Sequence, residues 1–361
     1  ASMGQLLEGL VPGLPTAARD QIVGRADGVP LYAVETVRML LSDGRLVLED
    51  GAYRPTTELH EVAAPETLRA LVASRLDSLE REDRRLMQAG TVIGHTFSID
   101  GLAAVVGATP AELEPRLRGL VRREMLVLEA DPRSPERGQY AFAQELLREV
   151  AYDTLAREDR QADHLAAARY FESLGADQLA GALAAQYVAA HRNARAGEEA
   201  DALAVQARQS LRVAGERAMS LGSTAQAQQL FEAALELTDE PAEEAALLVV
   251  AADAAVMAGH ADQARGHLER AIANFHDLGD RSAAALASAL LVVAVLKVGW
   301  QVDRARTVAR AAVAEFEDLG DSEGLARILA QLARLEMLMQ EDFAAAITLS
   351  DRTLAMAEPL D

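Results

Sequence analysis

Seven histidines, one lysine and no cysteine bound the side-chain chemistry open to this 361-residue chain. Without cysteine there are no disulfides and no thiolate metal sites, which fits a reducing, cytoplasmic setting. His260 and His267 stand seven apart and can share a helix face, with His276 nine further on. Two imidazoles without a carboxylate at i+4 spacing make a poor metal site, so all three read as repeat-surface histidines. His95 and Thr96 fall in a loop, and His164 has no serine or acidic partner placed by spacing, so no nucleophile constellation emerges. Arg148 and Glu149 read as an ordinary local pair. Lys297 follows Ala-Val-Leu rather than a glycine loop, which excludes a Walker A motif from these residues. Gly28-Val29-Pro30 is, on its letters alone, a helix break. No catalytic residue and no metal ligand is expected.

The elements that position these residues read as helices. Half of the chain is apolar but only 4% is aromatic, so the core must be Ala, Leu and Val in close-packed helices. Net charge is −21, divided as −7 over residues 1–160 and −14 over 161–361. So acidic a second half repels nucleic acid and anionic membranes, and favours a protein or small effector. The start of the chain lacks the basic and apolar run of a secretion signal. Its most apolar stretch, Ala283–Leu296, spans 14 residues, where a bilayer needs about 20. It reads as a buried helix, or alternatively as one that offers Leu290, Leu291, Val293, Val295 and Trp300 for self-association.

A 41-residue repeat organises the last hundred residues. Ala264, Ala305 and Ala346 are 41 apart, as are Ile272, Val313 and Leu354, and Phe275–Asp280 nearly coincides with Phe316–Asp321. Gln226–Leu235 matches Gln263–Ile272 at an offset of 37. A fixed period of this length predicts stacked helical hairpins, each burying its apolar face against the next. Gly279 and Gly320 are suited to left-handed C-terminal caps, and Asp280 and Asp321 to capping the helices that follow.

Towards the start, Thr16 is a plausible cap for a helix broken around Gly24–Pro30, and a second helix runs Leu31–Leu41 to a stop at Asp43-Gly44. Arg45–Pro55 reads as a hairpin turning at Asp50-Gly51. Pro65–Leu79 reads as a helix with proline in its first turn, followed by helices at 81–93, 99–106 and 110–123, the last capped by Thr109. Met125–Glu129 and Gln139–Ala143 alternate like strands around a loop at 131–138, and a helix starts at Glu145. Three helices, a hairpin and a helix is the order of a winged-helix domain. Residues 65–160 carry 14 basic and 17 acidic groups, so a packing role is expected rather than DNA binding.

Four phrases in this order, Ile22–Leu40, Arg75–Leu79, Val92–Phe97 and Tyr140–Tyr152, resemble the signalling ATPases called STAND proteins. The likeness is to the bacterial group in which such an ATPase precedes tetratricopeptide repeats. It implies a mainly α fold: a helical lid remnant over residues 1–60, a winged helix with a small β-hairpin over 61–158, and a tetratricopeptide-like superhelix over 159–361. In that family a Gly-x-Pro motif lies in the lid with its proline against the adenine, which implies that role for Gly28 and Pro30. A histidine of the winged helix lies near the phosphates, and the corresponding position here is Gln144, which can donate a hydrogen bond but carries no charge.

The family's P-loop, magnesium-binding strand and sensor arginine would lie before Ala1. The chain is therefore expected to be the C-terminal part of a larger protein, with ATP or ADP belonging to that parent and none bound here as a cofactor. What the resemblance implies is a regulatory and sensor fragment, its repeats relaying a bound effector to an upstream ATPase domain. The other expectations are part of a LuxR-type transcriptional regulator and the regulatory region of a nucleotide cyclase.

Overall fold

The computed structural model describes residues 3–26, 28–42, 44–49, 52–56, 67–131, 134, 136–175, 177–339 and 343–358. Asp43, the Asp50-Gly51 turn, Pro65 and part of the loop at 131–138 lie outside the described residues. The protein is mainly α, with two small antiparallel sheets. Its chain divides into two compact units, Ala1–Ser173 and Leu174–Asp361.

The first unit opens with α1 (Met3–Leu10), which sequence periodicity did not reveal, followed by α2 (Thr16–Ala26) and α3 (Pro30–Ser42). Leu7, Val11, Ile22, Ala33, Val37 and Leu40 bury their apolar faces against one another. A hairpin of β1 (Leu46–Glu49) and β2 (Ala52–Pro55) pairs Leu46 with Pro55 and Glu49 with Ala52. Tyr53 N donates to Pro12 O at 3.0 Å and holds this hairpin against the connection after α1.

After it come α4 (Leu68–Asp77), α5 (Arg81–Ile93), β3 (Thr96–Phe97), α6 (Ile99–Val106) and α7 (Pro110–Arg122). Thr67 caps α4 by accepting from Ala70 N at 3.2 Å. At α7 the Glu112 carboxylate accepts from both the Thr109 backbone N–H and its hydroxyl, each at 2.8 Å, so the first turn is closed as its letters predict. β4 (Leu126–Leu128) pairs with β5 (Tyr140–Phe142), and β3 adds to the other edge of β5. Here the loop expected at Thr96 is a strand. Two residues suffice because Phe97 is anchored between the Tyr140 and Phe142 rings, at 6.1 and 5.8 Å.

α8 (Glu145–Asp153) and α9 (Arg157–Leu174) follow. α9 falls within the first unit rather than with the repeats. Asp163 accepts both arms of Arg85, and the Ser98 hydroxyl lies 3.3 Å from that of Tyr170. His164 Nε2 lies 3.0 Å from the Tyr152 hydroxyl, which is neither the serine nor the acid sought by spacing. Nor do Arg148 and Glu149 pair: Arg148 donates to Glu145, and Glu149 accepts from Arg69. Adjacent residues on a helix do not face each other, which is why the local pairing fails.

The second unit is a succession of helices: α10 (Ala180–Asn193), α11 (Glu198–Ser220), α12 (Thr224–Leu235), α13 (Pro241–Ala258), α14 (Ala261–Leu278), α15 (Arg281–Lys297), α16 (Val302–Phe316), α17 (Glu323–Met339) and α18 (Phe343–Ala357). Each packs on the next, and α15 also packs on α17. The repeating alanines 264, 305 and 346 are all buried, as is Ala227 at the matching position of the earlier copy. Small side chains at these positions let the helices approach closely. The second triad is less uniform: Ile272 and Val313 are half-buried, whereas Leu354 is exposed.

Gly279 ends α14 in the left-handed region (φ +75°), and the Asp280 carboxylate accepts from Ala283 N at 3.0 Å to start α15. Gly320 differs from that expectation. It follows a 3-10 turn at Glu317–Leu319 with φ +64° and ψ −145°, and the capping oxygen of the next helix is that of Ser322 rather than Asp321.

α15 is buried along most of its length. Leu290, Leu291 and Val293 are partly buried against the core, and Val295 is fully buried. The expected self-association patch therefore reduces to Trp300, which is 62% exposed. No described helix is long and apolar enough to cross a membrane.

Candidate functional site

Glu35 lies mid-way along α3, inside a helix whose neighbouring letters are apolar, and its side chain is completely buried. A buried carboxylate survives only if charge and hydrogen bonds replace the water it has lost. Three elements supply them. Arg75 of α4, itself buried, forms an ion pair with Oε2 of Glu35. From α3, Arg38 donates to Oε1 at 2.8 Å, and Gln144, immediately before α8, donates its Nε2 hydrogen to the same oxygen at 2.5 Å.

Beyond Glu35 the network continues. The second arm of Arg75 donates to Arg123 O at 3.3 Å and lies 3.2 Å from Met125 Sδ, and the second arm of Arg38 meets Glu124 at 2.6 Å. Burial pushes the Glu35 carboxyl up, but Arg75 and the hydrogen bonds from Gln144, Arg38 and Arg75 outweigh it and hold the group below the usual carboxylate range. Burial alone would lower Arg38; the two carboxylates it meets raise it instead.

Around this node sit the residues picked out by sequence. Gly28 has φ +82° and is exposed in the break between α2 and α3. Pro30 is the first residue of α3, where its missing N–H costs nothing, and it too is exposed. Glu35 is five residues further on, about 7.5 Å along the helix axis. Gln144 is half-buried, and its Oε1 meets no donor among the described residues. The structure thus brings Gln144 to the helix that follows Gly28 and Pro30, and brings it there through Glu35.

Glu35 and Arg75 are the residues that sequence reasoning missed. Both lie inside the phrases that suggested the family, but a charge in an apolar run was the only local signal. Nothing in a helical period announces a partner 40 residues away.

The repeat histidines are not free surface groups. His260 Nδ1 lies 2.7 Å from Gln228 Oε1, and His267 Nε2 lies 3.3 Å from Glu232 Oε1, so both fasten α14 and its approach to α12. His276 meets Glu315 at 3.1 Å and stacks on Phe316. Among the described residues no cluster of three His, Cys, Asp or Glu side chains could hold a metal ion.

No family model matches the chain, and no curated protein matches it. Among solved structures it is similar to BtubC from P. vanneervenii, with 18% identity and a TM-score of 0.37 over 57% of this chain and 92% of that one. It is also similar to a STAND (signal transduction ATPase with numerous domains) protein with a tetratricopeptide repeat sensor from Pyrococcus horikoshii. There the identity is 12% and the TM-score 0.36, over 99% of this chain and 53% of that one. This chain thus spans about half the length of that second protein. With TM-scores this low, neither likeness carries the functional argument.

Proposed function

We propose that this chain is the regulatory and sensor portion of a signalling ATPase. Its first unit is a helical lid element followed by a winged-helix domain. Its second is a tetratricopeptide-like scaffold that binds a protein or small effector and relays that occupancy to a nucleotide switch. Nucleotide phosphates are gripped by an ATPase core that these residues do not include, since Lys297 lies in no Gly-Lys-Ser/Thr sequence. ATP and ADP are therefore ligands of the whole assembly, and Gly28 and Pro30 supply the adenine side of its site.

One observation carries this reading. Gln144, at the start of α8, is hydrogen-bonded to Glu35 on the helix that Gly28-Val29-Pro30 begins. Both places that the family resemblance puts around a nucleotide are therefore fastened through one buried carboxylate, and a displacement of either element must act on the same node. Two elements that share a node can be switched together, given a ligand with different affinities for the two arrangements.

The test is phosphate release from ATP by this chain alone. Release at the rate of buffer is expected. Turnover abolished by Pro30→Ala or Gln144→Ala would place a complete catalytic site in these residues and refute the reading.

A further inference from the structure

At the far side of the Glu35 node lies a cleft of about 360 Å³, lined by Arg38, Arg75, Arg122, Arg123, Glu124 and Ser78 among others. Four guanidinium groups face one carboxylate in a chain whose net charge is −21. Their pairing is unequal. Arg75 is buried and held by Glu35 and the Arg123 carbonyl, and Arg38 is shared between Glu35 and Glu124. Arg122 and Arg123 are exposed, and neither side chain meets a carboxylate among the described residues. Even with both Glu35 and Glu124 counted against the four arginines, the cleft retains an excess of two positive charges.

Glu124 is the second unusual feature. It is one of two non-glycine residues with positive φ among those described, at +53° between α7 and β4. That conformation is costly for a side chain with a Cβ. Here it accompanies a Glu124 carboxylate placed 2.6 Å from Nη2 of Arg38. A side-chain anion thus occupies one arginine fork while two neighbouring forks stay open.

We propose that this cleft is a binding site for an oligophosphate, a ligand with at least two adjacent phosphoryl groups, and that Glu124 stands in for it when it is absent. Guanidinium forks match phosphate oxygens two at a time, and several such forks in one cleft favour a multiply charged anion over a single carboxylate. Arg75 forms the fixed floor, because its own position is set by the Glu35 node. Arg122 and Arg123 supply the unpaired donors. An incoming phosphoryl group takes over the Arg38 arm that Glu124 now holds. Arg38 is eight residues beyond Pro30, about 12 Å along α3, so this site is separate from the Gly28 and Pro30 surface and does not rest on the function proposed above.

The experiment is calorimetric titration of the whole chain with inorganic pyrophosphate at about 50 mM salt, where surface charge is little screened. One-to-one binding is expected, weakened about tenfold or more by Arg122→Gln with Arg123→Gln, two exposed positions. Glu124→Gln is expected to tighten it by several-fold, and Arg118→Gln, on α7 but outside the cleft, to leave it unchanged. A parallel titration with ADP distinguishes sources: equal affinity assigns recognition to the diphosphate alone, and tighter binding adds the nucleoside to the ligand. No binding of pyrophosphate overturns the proposal. So does binding that the double substitution leaves intact, that Arg118→Gln weakens as much, or that Glu124→Gln fails to tighten.

Discussion

Gln144 and Arg38 donate to the same oxygen of Glu35, at 2.5 and 2.8 Å, from opposite ends of a 109-residue stretch of sequence in Gln144's case and from one turn away in Arg38's. With Arg75 on the other oxygen, Glu35 joins three elements of the first unit through one side chain. That arrangement makes Glu35 a sensitive point for both stability and coupling.

Glu35→Ala leaves the Arg75 guanidinium buried without its counter-charge. Breaking a buried pair from one side typically costs about 3–5 kcal/mol, so the first unit should unfold at markedly lower urea concentration. Glu35→Leu combined with Arg75→Met should recover a substantial part of that loss, because no lone charge remains. Equal destabilisation by the single and double substitutions, measured by urea unfolding, would show that the pair is not the source of the effect.

The same carboxylate predicts a pH dependence. Its folded-state pKa is lowered from 4.5, so its contribution is fully present above about that pH and is lost as pH falls through the lower folded-state value. The stability of the first unit should therefore fall on acidification below roughly pH 4.5, and Glu35→Gln should flatten this slope. Asp163 runs the other way. Burial raises it, against the pull of Arg85, so its contribution opposes the Glu35 slope as pH falls toward its ordinary value of 3.8. Unfolding midpoints from pH 7 to pH 3 for both Glu35→Gln and Asp163→Asn separate the two, and a slope unchanged in Glu35→Gln would remove Glu35 from the account.

Gly279 and Gly320 both require backbone that a β-branched residue resists, at φ +75° and +64°. Gly279→Val and Gly320→Val should each destabilise the repeats by about 2–3 kcal/mol. Melting temperatures within one degree of wild type would count against these turns.

Trp300 is the sole tryptophan and is 62% exposed at φ +58°. Its fluorescence should be that of a hydrated indole and be quenched readily by acrylamide in the folded chain. If it mediates self-association, the emission moves to shorter wavelength as concentration rises, and Trp300→Ala abolishes the shift. A blue, unquenchable emission at low concentration would contradict its exposure.

Much of the fold was legible because helices advertise themselves locally. The break at Gly28 and the cap at Thr109 follow from rules that operate within a few residues, and the alanines 41 apart follow from a fixed repeat period. β3 was not, because a two-residue strand has no period and exists only through Phe97 packing on the β5 aromatics. Similarly, the role of Asp321 passed to Ser322 because a 3-10 turn shifted the helix start. At the site, Gly28, Pro30 and Gln144 stood out by resemblance, while the carboxylate connecting them did not. A pair such as Glu35 and Arg75 is a property of tertiary packing, and an isolated charge among Val34, Thr36 and Val37 is all that sequence displays of it.

The claim that these residues regulate a nucleotide switch without themselves gripping its phosphates is tested most directly by calorimetric titration of the chain with ATP and with ADP, with magnesium, at physiological salt. The account predicts that Pro30→Ala and Gln144→Ala weaken no binding tighter than about 1 μM, an affinity that would correspond to some 8 kcal/mol. Saturable binding below that concentration, weakened by Pro30→Ala and Gln144→Ala, would contradict it.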